Sequence, residues 1–462
     1  MDILCNVEQI RGLPPTEKQM MADLLSIYKA HAVKNKDKER YYEGNIPLDE
    51  VNLGIALPDS LAKLQISCAW GSKAVDVLAS RSMFDGFVNA SGSQSDELAD
   101  LVLNNNLIAE YAKACRDELK FGCTYATLSA DSAIKCRVRF HSPLTAAAKW
   151  SGEKGRIAYG FAVINVEQIY GDGACYATVI NLYTDDAIWV LERKNMDWFA
   201  TKHTHEMGRP LMEAFTWNAT SSKPFGRSRI KGPIRRLIQG YIRTMANATI
   251  GLEFATSPQK YLLGITDDQY DQVINQKFKQ YVGSIIASTT NPETGEKPSF
   301  GQLQQGNITP HVEMMRLLAT QFSAATGLSV TDTGVVNDAN PTSSDAILAQ
   351  TQTLVSMAEQ LNSGNGDSLR TVALMALAIM GNTTMEALED EKRDIIAHFR
   401  NPAMPSVAVT ADAAIKIASA RQGFANTDTF LEMIGFDQAD IRRIRAQERM
   451  NNGLQIMTEL EE

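Results

Sequence analysis

Between Ser228 and about Ala255, the apolar residues Ile230, Ile234, Leu237, Ile238, Tyr241, Ile242, Met245 and Leu252 recur at intervals of three and four. That spacing draws one apolar stripe along a helix of about 28 residues, ~42 Å long at 1.5 Å per residue. Pro233 suits a first helical turn better than an interior, so the continuous helix is expected to begin there. Gly232, Gly240 and Gly251 each weaken it by up to ~1 kcal/mol against alanine. A second amphipathic helix is expected over residues 309–327, with Thr309 as its cap, Pro310 at the first position and Gly327 ending it. Between the two helices lies a small module. It reads as a strand KYLLG, a helix DDQYDQVINQKFKQYV capped by Asp267, then GSIIAST and SFGQL flanking the turn NPETGEKP. Two long helices with a compact module between them make a stalk. Alone, such a stalk has too little core to cover both its sides, so copies are expected to pack side by side. A closed ring of copies leaves an axial channel. The polar run at 328–342 would then hang at the inner end of the stalk, where small and polar residues meet water or a passing ligand.

The rest of the chain predicts a mixed α+β, mainly helical architecture. A helix is expected over 16–43 with Met20, Leu24, Ile27 and Tyr28 on its apolar side, and the following KNKDKERYYEGN reads as a solvated helix end. Helical patterns at about 60–83 and 95–120 precede the alternating runs CRVRFHSP, IAYGFAVINV, ATVINLYT and AIWVLERK, which predict an antiparallel sheet beside helices. After Pro341, the group Ser343, Ser344 and Asp345 starts another helix, with Ile347, Leu354, Ala358 and Leu361 on one face. NSGNGDS at 362–368 is expected to break it, and LRTVALMALAIMG resumes. A strand, an extended proline linker and two or three small helices complete the chain.

Several function classes find no support. The longest apolar stretch, VALMALAIM at 372–380, is well short of the ~18 residues of a membrane span. The amino terminus lacks the order of a secretory signal, so no membrane or export role is expected. Cys5, Cys68, Cys115, Cys123, Cys136 and Cys175 show no C-x-x-C spacing and read as buried reduced thiols. There is no phosphate-binding loop, nucleophile elbow or dinucleotide fingerprint, so no catalytic residue and no cofactor is expected. His203, His205 and Glu206 in HTHE could share one strand face as metal ligands do, but two histidines without a third partner are more simply a polar strand end, and no metal is expected. A rival reading is a cytosolic α/β enzyme with a helical cap and a site near His141, His203 and His205.

The net charge of −9 gives no general attraction to nucleic acid, but its distribution is uneven. From Ala214 to Leu252 there is no acidic residue, while Lys223, Arg227, Arg229, Lys231, Arg235, Arg236 and Arg243 are all cationic. These cations either pair with carboxylates of a neighbouring helix or subunit, or face phosphates.

Several strings in this order and spacing resemble the portal proteins of tailed bacteriophages, in the SPP1-type family. They are YYEGN, PFGRSRI, FATSPQKYLLG, LATQFSAATGLSV, NPTSSDAILAQTQTLVSMAEQLN and TADAAIKIASARQGF, spread from about residue 16 to 450. The resemblance implies a portal fold: an N-terminal wing (1–227), a first stem helix (228–256), a small α/β clip (257–307) and a second stem helix (308–327). A tunnel loop (328–342), a long wing helix (343–383) and a helical C-terminal wing and crown region (384–462) follow. It implies a dodecameric ring at one capsid vertex, in the virion and, during assembly, in the host cytoplasm. Double-stranded DNA passes through it, driven by the terminase large subunit and later ejected, and the major capsid or scaffolding protein and a head-completion adaptor are its other partners. Another minor phage head protein is a further alternative. By position, Thr331, Asp332, Thr333, Asn337, Asp338 and Asn340 would line the tunnel. Asn291, Glu293, Thr294, Glu296 and Lys297 would meet terminase or adaptor, and Arg235, Arg236 and Arg243 would meet DNA or a neighbouring subunit. Relatives commonly carry proline after the threonine–glycine pair, where TGLSV here has Leu328 and Ser329.

Overall fold

The computed structural model describes residues 6–46, 66–89, 96–168, 175–194, 197–256, 260–263, 295, 299–302, 307–334, 344–388, 394–403, 407–421, 423–436 and 438–461. Among them helix outweighs strand, and every pairing between named strands is antiparallel.

The first helix, α1 (Pro15–Glu43), opens on a proline and closes at Gly44. Its early turns bury Met21, Leu24 and Leu25 against a five-stranded sheet made of β4 (Ala146–Ser151), β5 (Arg156–Gln168), β6 (Cys175–Tyr183), β7 (Ala187–Lys194) and β8 (Asp197–Thr204), in that spatial order. Phe161, Ile180, Leu182, Trp189 and Leu191 share a core with α1, while Ala162, Tyr183 and Ile188, on the alternate positions, join a larger second core. Both faces are covered, which is why these strands are apolar at consecutive positions rather than alternating with charge. The expected single sheet is in fact divided: β2 (Cys123–Asp131) lies between β3 (Lys135–His141) and β9 (Met212–Thr216) in a separate three-stranded sheet.

The helix expected at 60–83 is described only as α2 (Trp70–Ala79). The chain just beyond that window forms strand β1 (Phe84–Asn89), paired with β12 (Ile395–Phe399) from more than 300 residues away. The pattern at 95–120 is two helices, α3 (Asp96–Asn104) and α4 (Leu107–Phe121). Buried Asn105 separates them. Its amide donates to the Cys136 carbonyl (3.1 Å) and accepts from Val138 N–H (2.9 Å), and Asn106 takes a positive φ of 47°. A long-range hydrogen bond to β3 therefore outweighs helical continuity.

The charge-dense end of α1 is only partly solvated: Lys34, Lys36 and Glu43 are exposed, but other members of the run are drawn inward. Asn35 and Tyr41 are buried, Lys38 Nζ donates to the Phe121 carbonyl (2.7 Å), Glu39 pairs with Lys120 (2.8 Å), and Asp37 pairs with Arg235. The charges form a polar seam between α1 and the elements packed on it.

The long helix α7 (Ser344–Met380) runs without interruption through NSGNGDS, contrary to expectation. Leu354, Ala358 and Leu361 before the segment, and Leu369, Val372, Ala373 and Ala376 after it, all sit in the larger core. Within it, Asn365 is 1% exposed and donates to Tyr111 Oη (2.9 Å) and Glu118 Oε2 (2.8 Å) on α4. Packing on both sides and this polar contact offset the ~1 kcal/mol that each of Gly364 and Gly366 costs a helix.

Helices α5 (Gly232–Thr256) and α6 (Thr309–Thr326) bracket the antiparallel pair β10 (Lys260–Leu263) and β11 (Ser299–Gln302). The expected helix at 267–282 and the run at 283–289 lie outside the described residues. The chain ends in α8 (Val407–Ala420), α9 (Asp428–Ile434) and α10 (Gln438–Glu461), with Arg445 tying α10 to Asp428 at 2.7 Å.

Candidate functional site

The stalk and the loop at its inner end form the candidate site. Helix α5 begins where the sequence placed it, with Pro233 in its first turn. Ile234, Ile238 and Ile242 are buried in the larger core together with Leu318, Ala319 and Phe322 of α6. A methyl group on Gly240 would lie 3.4 Å from Leu318, and Arg229, ahead of α5, reaches Thr326, so the two helices run antiparallel. The outer part of the pair differs. Residues 309–317 of α6 contain no buried position, and Val312, Met314 and Leu317, with Leu252 on α5, are exposed. The stalk therefore roots in the core and projects from it.

Thr309 is the first residue of α6 rather than its cap. Asn307 Oδ1 accepts from Thr309 N–H (2.9 Å), a role its position two residues earlier allows. Gly327 ends the helix at φ 72°, as expected. The loop then folds on itself: Asp332 Oδ2 accepts from Ser329 N–H (3.1 Å) and Ser329 Oγ (2.8 Å), and residues Thr331–Thr333 form one tight helical turn. Ser329 supplies the hydroxyl and amide that hold this turn. Of the expected tunnel residues, Thr331, Asp332 and Thr333 are thus brought together, with Asp332 engaged as a cap. Asn337, Asp338 and Asn340 lie outside the described residues, as do Asn291, Glu293, Thr294, Glu296 and Lys297.

The cationic run divides into separate roles. Arg235 pairs with Asp37 and lies over the Tyr41 ring at 5.7 Å, the expected pairing with a neighbouring helix. Among the described residues Arg229 meets no carboxylate, and it is nearly withdrawn from solvent. It is 8% exposed, its guanidinium donates to the carbonyls of Ala74 and Thr326 (2.7 Å to the latter), and burial lowers its pKa to about 10. Arg236 and Arg243 are exposed and make no ion pair among the described residues. Seven residues apart, they share one stripe of α5, about 10 Å apart along its axis.

Trp70 was not anticipated from the sequence. Its ring, at the start of α2, stacks on Phe322 of α6 (4.7 Å between centroids) and meets Tyr241 of α5 at a tilt (4.4 Å), and its indole N–H donates to the Thr333 carbonyl (3.2 Å). A lone tryptophan at a helix start carries no signal of this contact, whose partners stand more than 170 residues away. Arg229 was visible only as one cation among seven.

The histidines do not converge. Buried His141 faces Thr127 Oγ1 at 3.0 Å, and desolvation lowers its pKa to about 4. His203 and His205 line a different cleft of about 910 Å³ beside Asn181, Met207 and Asn382. Among the described residues no group of three or more His, Cys, Asp or Glu is placed to hold a metal, and no helix is long and apolar enough to cross a membrane. The five described cysteines are free thiols, four of them buried.

The chain resembles known proteins along nearly its whole length. The portal protein of Mycobacterium phage D29 is 23% identical over 440 residues, covering 92% of this chain and 87% of that protein. The portal protein of Mycobacterium phage L5 is 22% identical over 393 residues, covering 80% and 76%. Among solved structures, a chain in the virion of a native gene transfer agent particle aligns at TM-score 0.45 and 12% identity, covering 84% of this chain and 90% of that one. A chain from the neck of the native particle, computed with C12 symmetry, aligns at TM-score 0.43 and 11% identity, covering 79% and 89%. Residues 23–454 match the family described as phage portal protein, SPP1 Gp6-like, and the chain belongs to that family.

Proposed function

We propose that copies of this chain close into a dodecameric ring at one capsid vertex, and that double-stranded DNA is packaged through its channel and later ejected. The observation that carries this reading is the exposed apolar surface on a stalk that a single copy leaves half uncovered: Leu317 is 52% exposed and Leu252 49%. Burying such residues against identical neighbours removes apolar area from water at about 25 cal/mol per Å². The protein acts as a scaffold rather than an enzyme. ATP hydrolysis belongs to the terminase large subunit, which docks with the head-completion adaptor at the clip (257–307), while capsid or scaffolding protein meets the wing.

Within the ring, residues 1–227 and 343–383 form the wing, 228–256 and 308–327 the stem, 328–342 the tunnel loop, and 384–462 the C-terminal wing and crown. Arg236 and Arg243 are stem cations available to DNA or to a neighbouring subunit, since Arg235 already has Asp37. Asp338 and Asp332 keep the loop anionic, so that the duplex slides rather than adheres. Because Asp332 also caps its own turn, Asp338→Lys tests the charge alone.

Native mass measurement and negative-stain imaging test assembly. Wild type is expected as a ring with a central hole, and Leu317→Glu as smaller species that retain helical content. A stable wild-type monomer would remove the basis of the reading. Asp338→Lys rings should assemble normally and fill heads poorly.

A further inference from the structure

We propose that Trp70 is a positioning residue for the loop that follows α6, and that α2 couples the wing to it. Three positions within five residues of α2 carry the inference. Trp70, 4% exposed, sets its ring against one residue from each stem helix, and its indole N–H holds the Thr333 carbonyl at the far side of the loop's first turn. One helical turn later, the Ala74 carbonyl accepts from Arg229, whose other donor reaches the Thr326 carbonyl, immediately before the loop begins. Both the start of the loop and its first turn are thus held by one short helix, from residues one turn apart.

Gly71 fixes where that helix stands. A methyl group there would fall 1.9 Å from the Tyr41 carbonyl oxygen, so α2 rests directly on the backbone of α1. Tyr42 Oη, donating to Asp76 Oδ1 (2.9 Å), holds the same crossing one turn further on. Because α1 in turn pairs with α5 through Asp37 and Arg235, a shift of α1 against the stem must be taken up at α2, and α2 cannot move without carrying Thr333 and Thr326. Interfaces packed this closely move as units rather than yielding atom by atom. In the assembled ring, α2 would transmit wing position to the loop's standing in the channel; this step rests on the reading of the loop as channel-lining.

Trp70→Phe separates positioning from packing when both segments are read, because it keeps an aromatic ring beside Tyr241 and Phe322 and removes the donor together with part of the indole's area. Hydrogen exchange is measured on assembled rings. The amides of Asp332, Thr333 and Gly334, each bonded within the turn, should exchange roughly 3- to 10-fold faster, the effect of one lost hydrogen bond, while amides at 318–323 keep their wild-type rates. Equal acceleration in both segments, or none in either, overturns the proposal and assigns Trp70 to packing alone. Phage carrying the variant then tests the link to the channel. Local acceleration with altered DNA filling or retention supports the full inference. Local acceleration with wild-type filling leaves Trp70 as the loop's positioning residue and overturns its coupling to the channel, a failure distinct from the loss of ring formation that would refute the functional reading itself.

Discussion

Glu118 on α4 is wholly buried, and the groups around it are neutral at its site: the Asn365 amide, the Tyr111 hydroxyl and the Cys115 and Cys123 thiols. No ion pair holds it among the described residues, and burial pushes its pKa up to about 8 from a reference of 4.5. The neutral acid is therefore the folded form through most of the physiological range. The unfolded chain releases the proton above pH ~4.5 and the folded chain retains it to pH ~8, so stability falls as pH rises between these values. Below that window both states are protonated and nothing is lost; above it both are ionised and the loss is complete. At pH 7 the cost is about 3 kcal/mol, and at pH 5 about 1 kcal/mol, from 1.36 kcal/mol per pH unit. Glu118→Gln keeps the shape and neutrality of the protonated acid and cannot ionise. Denaturant unfolding of wild type and variant at one protein concentration, from pH 5 to pH 8.5, should give curves that diverge by about 1.4 kcal/mol per pH unit through the middle of the range, the variant being the more stable. Other titrations are common to both and cancel in the difference. Parallel curves would refute the argument, since they would mean that Glu118 ionises at the same pH folded and unfolded.

Two glycines predict opposite outcomes. Gly71→Ala forces α2 off the α1 backbone and should cost about 1–3 kcal/mol or more in denaturant unfolding, with Tyr42 losing its bond to Asp76. Gly364→Ala sits in the middle of α7 with nothing within 4 Å of the added methyl group, and should stabilise by about 0.5–1 kcal/mol; a loss instead would contradict the unbroken helix.

What the sequence revealed was whatever its periodicity encodes locally. The stem helices, the strands of the sheet region and the stop at Gly327 all follow from spacing and turn chemistry within a few residues of each element. Misreadings occurred where a distant partner decides the outcome. NSGNGDS has every local mark of a helix break, yet Asn365 spends its donor on α4 and the apolar turns on either side are already buried, so the backbone has no reason to leave the helix. KNKDKERYYEGN has every local mark of a solvated end, and Lys34, Lys36 and Glu43 are exposed, yet Asp37, Lys38 and Glu39 find Arg235, the Phe121 carbonyl and Lys120, none of them near in sequence.

The cationic run shows why the site itself was only partly legible. Composition identified a stretch free of carboxylates, and two readings of it were open: pairing within the protein, or exposure to phosphate. The first holds at Arg235, and the adjacent Arg236 is exposed. Arg235 and Arg236 differ by 100° around α5, which is enough to turn one onto Asp37 and the other into water. Arg229, six residues earlier, does neither and serves as a hydrogen-bond donor to two backbone carbonyls in the core. A guanidinium can take that role because its planar fork presents several donors at once, whereas an ammonium offers a compact point charge. Arg229→Lys therefore keeps the charge that composition counts and should still lose one of the two carbonyls, leaving either α2 or the end of α6 without its tether. That loss is the difference between a charge in a sequence and a position in a fold.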